Sequence, residues 1–342
     1  MAGAVRARKR AGRATMADVA KLAGVSAITV SRLLRDPSTV SGDLAARIRE
    51  AIDRLGYVPN LMAGSLAAAS SRIVGVIVPS IRNAFFAASV DALARALEPR
   101  GFSVFDASTE YDLDREDSLV ETMLAWNPAA LVLTGFAHGP RLPVLLARAR
   151  VPVVEIWDSA GRPIDMAVGF DHGFVGRKVV RHLLARGRKR IAFVGAMLEA
   201  DTRAGARRDG MQRELEAAGL APVETVDLPR PSNVGDGAAA FAGLVERGVA
   251  MDAVFFSNDI LALGALFECQ RRGLSVPGDV ALVGFGDQDF AAHSVPRLST
   301  VRPPREAIGR EAANLILARL DGEEPAGRVL DVGFELVLRE SG

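Results

Sequence analysis

Residues Thr15 to Leu34, TMADVAKLAGVSAITVSRLL, constrain this chain most, because they read as two short helices joined by a tight turn. Thr15 stands at a cap position, and Asp18 three residues later completes the pattern of a capping box. Val19, Ala20 and Ala23 recur at helical spacing, and Ala20 is small where a second helix must cross closely. Gly24 falls where the first helix should end and the chain turn. Ser26 then caps a second helix, predicted to turn Val30, Leu33 and Leu34 inward. Ala27, Ile28, Thr29, Ser31 and Arg32 remain on or near the outer face. The DNA major groove accepts a second helix whose N-terminal outer residues are free in this way. The plainer alternative is a small αα-hairpin in an unrelated domain.

Charge is uneven along the 342 residues: the net is +1, but residues 1–60 carry 11 Lys/Arg against 5 Asp/Glu. A basic head on a mildly acidic body points to a polyanion partner for the head. The chain is long enough for two or three packed units, and its 49% hydrophobic content can fill sizeable cores. A lone cysteine, Cys269, rules out an intramolecular disulfide framework and fits a reducing compartment. The basic start, MAGAVRARKRAGRA, has no apolar stretch behind it and so does not read as a secretory signal. No apolar run is long enough for a membrane span. A cytoplasmic location is the resulting expectation.

Residues 1–14 are expected to be a basic disordered tail, and residues 15–58 a compact DNA-binding headpiece. Asp36-Pro37 breaks the chain, and Ser41 is placed to cap a third helix from about Gly42 to Leu55, with Leu44, Ile48, Ala51, Ile52 and Leu55 on its apolar face. Residues 59–72 form a linker of small and polar residues, with a stretch from Leu61 to Ala69 able to form a helix. From residue 73 to 342 the pattern changes to alternating strands and helices. IVGVIVPS, FSVFDAS, ALVLTG and VPVVEIWD read as strands of a first βαβ series, with helices from Ala84 to Leu97 and from Glu116 to Trp126. AVGFD, RIAFVGA, ETVDLP, AVFFSND and VALVGFG open a second series, with helices from Gly173 to Ala185, up to about Gly219, from Gly235 to Arg247 and from Ile260 to Arg272. Two such series imply two doubly wound sheets. Gly195 and Gly284 are expected in loops after strands. Neither lies in a phosphate-binding glycine pattern, so nucleotide binding has little support.

Three segments carry a resemblance: AxxAGVSxxTVSR as Ala20 to Arg32, GYxPN as Gly56 to Asn60, and SRxxGVxVPS as Ser71 to Ser80. The chain resembles the LacI/GalR family of transcriptional repressors along nearly its whole length. The resemblance implies a small all-α helix-turn-helix headpiece and an α/β periplasmic-binding-protein-like core of two doubly wound lobes, with the chain returning to the first lobe around Leu298–Arg302. It also implies a homodimer on double-stranded, near-palindromic operator DNA. Ala27, Ile28 and Arg32 would then touch base edges, Arg32 as a bidentate partner of guanine, while Ser26, Thr29, Ser31 and Asn60 hold phosphates or pack. In the family a hinge helix forms on the operator and a leucine wedges into the minor groove; Leu66 stands at that place. Gly64 and Ala67 depart from the common hinge pattern, and Gly64 costs a helix roughly 1 kcal/mol relative to alanine.

Ligands of open α/β sheets bind beyond the carboxyl ends of the strands. The effector candidates are therefore Ser80, Asn83, Phe85, Thr134, His138, Glu155, Asp158, Arg203, Arg207, Asn258 and Asp287, with Trp157, Thr202 and Asp289 beside them. By motif, Arg207 in Arg-Arg-Asp-Gly-Met matches the family's effector-gripping arginine and Asn258 its polar partner; Arg203 competes for the arginine's role, and Asp287 stands one step later than the usual acid. Each has a plainer alternative: Arg207 pairing with a helix acid, His138 in a surface loop, Trp157 in the core, Asn258 capping the next helix, His172 capping or packing. Cys269 reads as buried and inert.

ETMLAWN, LVLTxxxH, VVExxDS, DMAVGFD and GALFECQRRGLxVP are similar to the gluconate-utilisation branch of the family, whose effector is gluconate or a phosphorylated or related sugar acid. An arginine for the carboxylate and several acceptors for hydroxyls suit a polyol acid. Enzymatic readings fail: there is no GxSxG elbow and no metal-ligand cluster of known spacing, and no cofactor is expected. The rival classes are a periplasmic-type sugar-binding protein and a constitutive DNA-binding dimer without a ligand. No leucine heptad follows GFELVLRES before Gly342, so a dimer is expected rather than a tethered tetramer.

Overall fold

Three helices carry the first unit: α1 (Met16–Ala23), α2 (Ala27–Arg35) and α3 (Gly42–Leu55). The capping box at Thr15 forms, with the Thr15 hydroxyl accepting from Asp18 N and the Asp18 carboxylate accepting from Thr15 N. Gly24 ends α1 at φ 65°, in the left-handed region that disfavours a side chain. Val19, Ala20, Ala23, Val30, Leu33, Ala45, Ile48, Ala51 and Tyr57 form the buried core. Two details depart from the sequence reading. Leu34 is 38% exposed, because Val30 and Leu33 already fill the inward stripe. Ser41 holds the cap position of α3 but makes no side-chain cap bond.

The computed structural model describes residues 14–35, 37–58, 71–81, 84–324 and 327–342. The chain divides between Ser71 and Arg72. The basic tail, Asp36, Asn60, the hinge positions Gly64, Leu66 and Ala67, and Asn83 lie outside the described residues.

In the second unit, β1 (Ile73–Val78), β2 (Ser103–Ser108), β3 (Ala130–Thr134), β4 (Val153–Ile156), β5 (Met166–Gly169) and β11 (Val329–Asp331) form one sheet, in the order β11-β5-β4-β3-β1-β2. A second sheet holds β6 (Ile191–Ala196), β7 (Glu224–Leu228), β8 (Ala253–Phe256), β9 (Ala281–Phe285), β10 (Ser299–Arg302) and β12 (Glu335–Val337), in the order β12-β10-β9-β8-β6-β7. All neighbours pair in parallel except β10 with β12. Strands such as ALVLT and AVFF are buried along their whole length, as expected where helices cover both faces.

Helices α4 (Ala84–Leu97), α5 (Leu113–Leu124), α6 (Leu142–Ala149) and α11 (Arg305–Leu320) flank the first sheet; α7 (His172–Ala185), α8 (Thr202–Ala217), α9 (Val234–Glu246) and α10 (Asp259–Arg272) flank the second. The chain crosses between the lobes after β5, after β10 and between β11 and β12.

The structure corrects the sequence reading in five places. AVGFD, read as opening the second series, is β5 of the first sheet, paired in parallel with β4. The segment around Leu298–Arg302 stays in the second sheet as β10, and the return to the first lobe is made by α11 and β11. Helix α5 begins at Leu113 rather than Glu116, because the Asp112 carboxylate caps Asp114 N and Arg115 N. Helices α6 and α11 were not anticipated; α11 buries Ile308, Gly309, Ala312, Ala313 and Ile316, a set too small and interrupted to show as a clear stripe. Gly195 and Gly284 lie inside β6 and β9, not in loops.

Helices α7 and α8 touch backbone to backbone. A Cβ at Gly210 would stand 2.0 Å from the Gly173 carbonyl oxygen, and one at Gly176 would stand 2.1 Å from the Arg207 carbonyl oxygen. Neither neighbour can rotate away, so Gly210→Ala should lower core stability by about 1–3 kcal/mol. Urea unfolding of the full chain measures this, and an unchanged midpoint would show that the helices can separate freely.

Candidate functional site

The first candidate surface is the N-terminal end of α2. Ser26 Oγ accepts from Thr29 N at 3.2 Å, fixing the start of the helix, and shares a hydrogen bond with the Thr29 hydroxyl at 2.9 Å. Arg47 on α3 donates to the Ala23 carbonyl at 2.7 Å and so ties the turn to the third helix. With that frame held, Ala27, Ile28 and Arg32 are exposed, and Thr29 and Ser31 are half-buried. Ile28 and Arg32 stand one turn apart on one face. Ile28 is 72% exposed, an apolar side chain the headpiece core does not use.

The second candidate is the cleft between the lobes of the core. Backbone strain concentrates at the strand ends that face it. Glu110 and Tyr111 after β2, Trp157 after β4, Met197 after β6 and Asp287 after β9 all adopt positive φ, between 48° and 72°. Such conformations cost of order 1–3 kcal/mol each and cluster at binding sites. A cavity of about 30 Å³ lies here, lined by Thr109, Tyr111, Glu116, Thr134, Thr202 and Arg203 among others.

Arg207, on the same helix as the cavity-lining Arg203, is 4% exposed. Its guanidinium donates to His172 Nδ1 at 2.8 Å and to the Ser257 carbonyl at 3.0 Å, and lies 3.9 Å over the Phe285 ring. Its Nε has no partner, and among the described residues no acid forms an ion pair with it. Burial pushes the guanidinium pKa down to about 10, so it stays charged at neutral pH. Because arginine can only donate, His172 Nδ1 must accept, and His172 Nε2 donates to the Trp157 carbonyl at 2.7 Å. Burial and the Arg207 charge together hold His172 neutral. Trp157 is itself buried and strained, and its Nε1 also lacks a partner. An aromatic cluster joins the lobes here: Phe85 and Phe170 each lie 6.3 Å from Phe285.

The other sequence candidates divide. Arg203 lines the cavity, pairs with Asp201 at 3.1 Å and lies over Phe86. Asp158 stands nearby; burial pushes its carboxyl up, against the Ala160 amide and the Arg203 charge. Thr134 reaches the cavity while donating to the Ile77 carbonyl, and Ser80 is buried at the end of β1. Phe85 belongs to the aromatic cluster.

Four candidates are engaged elsewhere. Asn258 caps α10 through Leu261 N and donates to Ser232 Oγ. The Asp287 carboxylate is taken by Arg302 at 2.5 Å and Arg339 at 2.7 Å. His138 and Glu155 are not open contacts but a clasp. His138 Nδ1 meets Glu116 at 3.0 Å and Nε2 meets Glu155 at 2.9 Å, with all three side chains buried. Tyr111, Thr109 and Glu116 were missed: they follow β2, whose end carried no motif. Cys269 is buried, and that burial pushes its thiol up to about 12. Among the described residues no side-chain group could hold a metal, and no helix is long and apolar enough to cross a membrane.

A helix-turn-helix head before a two-lobed core with a cleft at facing strand ends defines a ligand-responsive DNA-binding regulator. The family model "Bacterial regulatory proteins, lacI family" matches residues 15–60, and the "Periplasmic binding protein-like domain" model matches residues 180–342. The HTH-type transcriptional regulator GntR of Pseudomonas aeruginosa is 42% identical over 332 residues, 96% of each chain. The crystal structure of a LacI-family transcriptional regulator from Silicibacter pomeroyi has a TM-score of 0.90 at 32% identity, covering 96% of this chain and 99% of that one. The lac repressor dimer bound to operator and an anti-inducer gives 0.83 at 25% identity, covering 96% and 99%. The chain belongs to the LacI family of transcriptional regulators.

The His138 clasp has a pH signature. Burial disfavours the imidazolium, but Glu116 and Glu155 more than offset this and raise its pKa to about 9. A raised folded-state pKa contributes stability that is present below the unfolded value, about 6.5, and is lost as pH rises through about 9. Thermal melts of wild type and His138→Gln between pH 6.5 and 10 should converge as the pH rises. A constant gap between them would show that the histidine is not charged in the fold.

Proposed function

We propose that this chain is a homodimeric repressor whose affinity for a near-palindromic operator is controlled by a gluconate-like sugar acid bound between its lobes. One observation carries the ligand's charge: Arg207 is a buried cation with no ion-paired acid among the described residues and a spare Nε–H. Such a charge is costly unless compensated, and an acid's carboxylate compensates it. Arg203 adds a second cation, while Thr109, Thr134, Thr202 and Tyr111 supply hydroxyls for a polyol. The similarity to the gluconate-utilisation branch supports the same class.

The cavity is about 30 Å³, and one water needs about 10–15 Å³ on that measure. A six-carbon acid is larger than this cavity, so its binding asks for a wider separation of the lobes. On the DNA side, Arg32 reads guanine, Ile28 and Ala27 touch thymine methyls, and Ser26, Thr29, Ser31 and Asn60 hold the backbone. Leu66 is the minor-groove wedge. The proposed organisation is a basic tail at 1–14, the headpiece at 15–58, a hinge at 59–72 and the core at 73–342, in the cytoplasm.

Fluorescence anisotropy at fixed salt, using DNA from the chain's own promoter, tests this. Gluconate should shift operator affinity, and Arg207→Ala should abolish that shift. Arg32→Ala should cost about 1–3 kcal/mol of specific binding. Operator binding that no sugar acid alters would refute the effector assignment while leaving the DNA-binding reading intact.

A further inference from the structure

The two walls of the cleft differ in charge. The second lobe contributes Arg203, which pairs with Asp201 at 3.1 Å, and the buried Arg207 lies on the same helix. The first lobe contributes Glu116, one turn into α5 and 4% exposed, which lines the same cavity. Glu116 is held rigidly: Oε1 accepts from His138 Nδ1 at 3.0 Å, and Oε2 accepts from Gly139 N at 3.1 Å. His138 is held in turn by Glu155, whose other oxygen accepts from Ile164 N at 2.6 Å. A ring that meets a carboxylate at each nitrogen carries one positive charge against two negative ones. The first-lobe wall is therefore anionic and preorganised.

We propose that Glu116, positioned by His138 and Glu155, is a specificity-determining residue that admits polyol monocarboxylates and rejects acids bearing a second anionic group at the far end. The inference rests on the sugar-acid reading given above. A carboxylate drawn to Arg203 and Arg207 leaves the rest of the molecule lying toward the first lobe. There Glu116 has lone pairs left to accept from hydroxyls, since each carboxylate oxygen can accept more than one hydrogen bond. A second carboxylate brought to the same place meets a like charge in a poorly solvated wall. Like charges placed together are how sites exclude near-identical competitors.

Isothermal titration of the full chain with D-gluconate and D-glucarate is the test, because the two differ by one charge at the far terminus. Wild type should prefer gluconate by roughly tenfold or more, as like-charge exclusion predicts. Glu116→Gln should bring the two acids close to equality, chiefly by admitting glucarate. Circular dichroism checks that the variant folds. If it does not, the paired variant Glu116→Gln/His138→Gln removes both charges together and avoids leaving the imidazolium with a single acid. A folded variant that keeps the full preference, or a wild type that takes both acids equally, overturns the Glu116 assignment and leaves the sugar-acid reading standing. A wild type that binds neither acid overturns both.

Discussion

The core is organised around one buried cation. Arg207 reaches from α8 to the end of β8 through the Ser257 carbonyl, to the end of β9 through the Phe285 ring, and to the start of α7 through His172. His172 then passes the contact to the first lobe at the Trp157 carbonyl. The order of donors and acceptors leaves no choice of tautomer, so the chain Arg207–His172–Trp157 has a fixed polarity. It places a positive charge, stripped of water, where the strand ends of the two sheets face each other.

Other features of the site follow from holding that charge. The guanidinium lies on the Phe285 ring, and Asp201 and Asp158 act on it only through space, without an ion pair among the described residues. The close approach of α7 and α8 at Gly176 and Gly210 brings residue 207 to its depth. Strained residues at the ends of β2, β4, β6 and β9 turn their loops toward the same space. Across the cleft, the His138 clasp keeps a compensating negative wall in place without touching Arg207. The cleft is thus polarised from one lobe to the other, and a ligand with one charged end and one hydroxylated end matches it.

Much of this is legible in the residues and some is not. The capping box at Thr15, the turn at Gly24 and the wholly apolar strands announce themselves, because capping and burial are local in sequence. The strand-end rule also brings Arg203, Arg207, Thr134 and Asp158 to the cleft. Pairing through space leaves no such trace. His138 reads as a loop histidine because Glu116 and Glu155 are 22 and 17 residues away. Asp287 reads as a ligand acid because Arg302 and Arg339 lie on other strands and segments. Helix α11 hides because small residues against α4 produce no clear apolar stripe, and β10 stays in its sheet by pairing with β9 and β12, partners that its own segment does not reveal.

The central claim is that the cleft and the DNA-binding head share one coupling free energy. Linkage requires such coupling to be reciprocal. The most direct measurement is the affinity of gluconate for the free protein and for the protein saturated with operator, set beside the affinity of operator with and without gluconate. The account predicts the same factor in both directions, whichever its sign. Gluconate that binds the free and operator-bound protein equally well would contradict it.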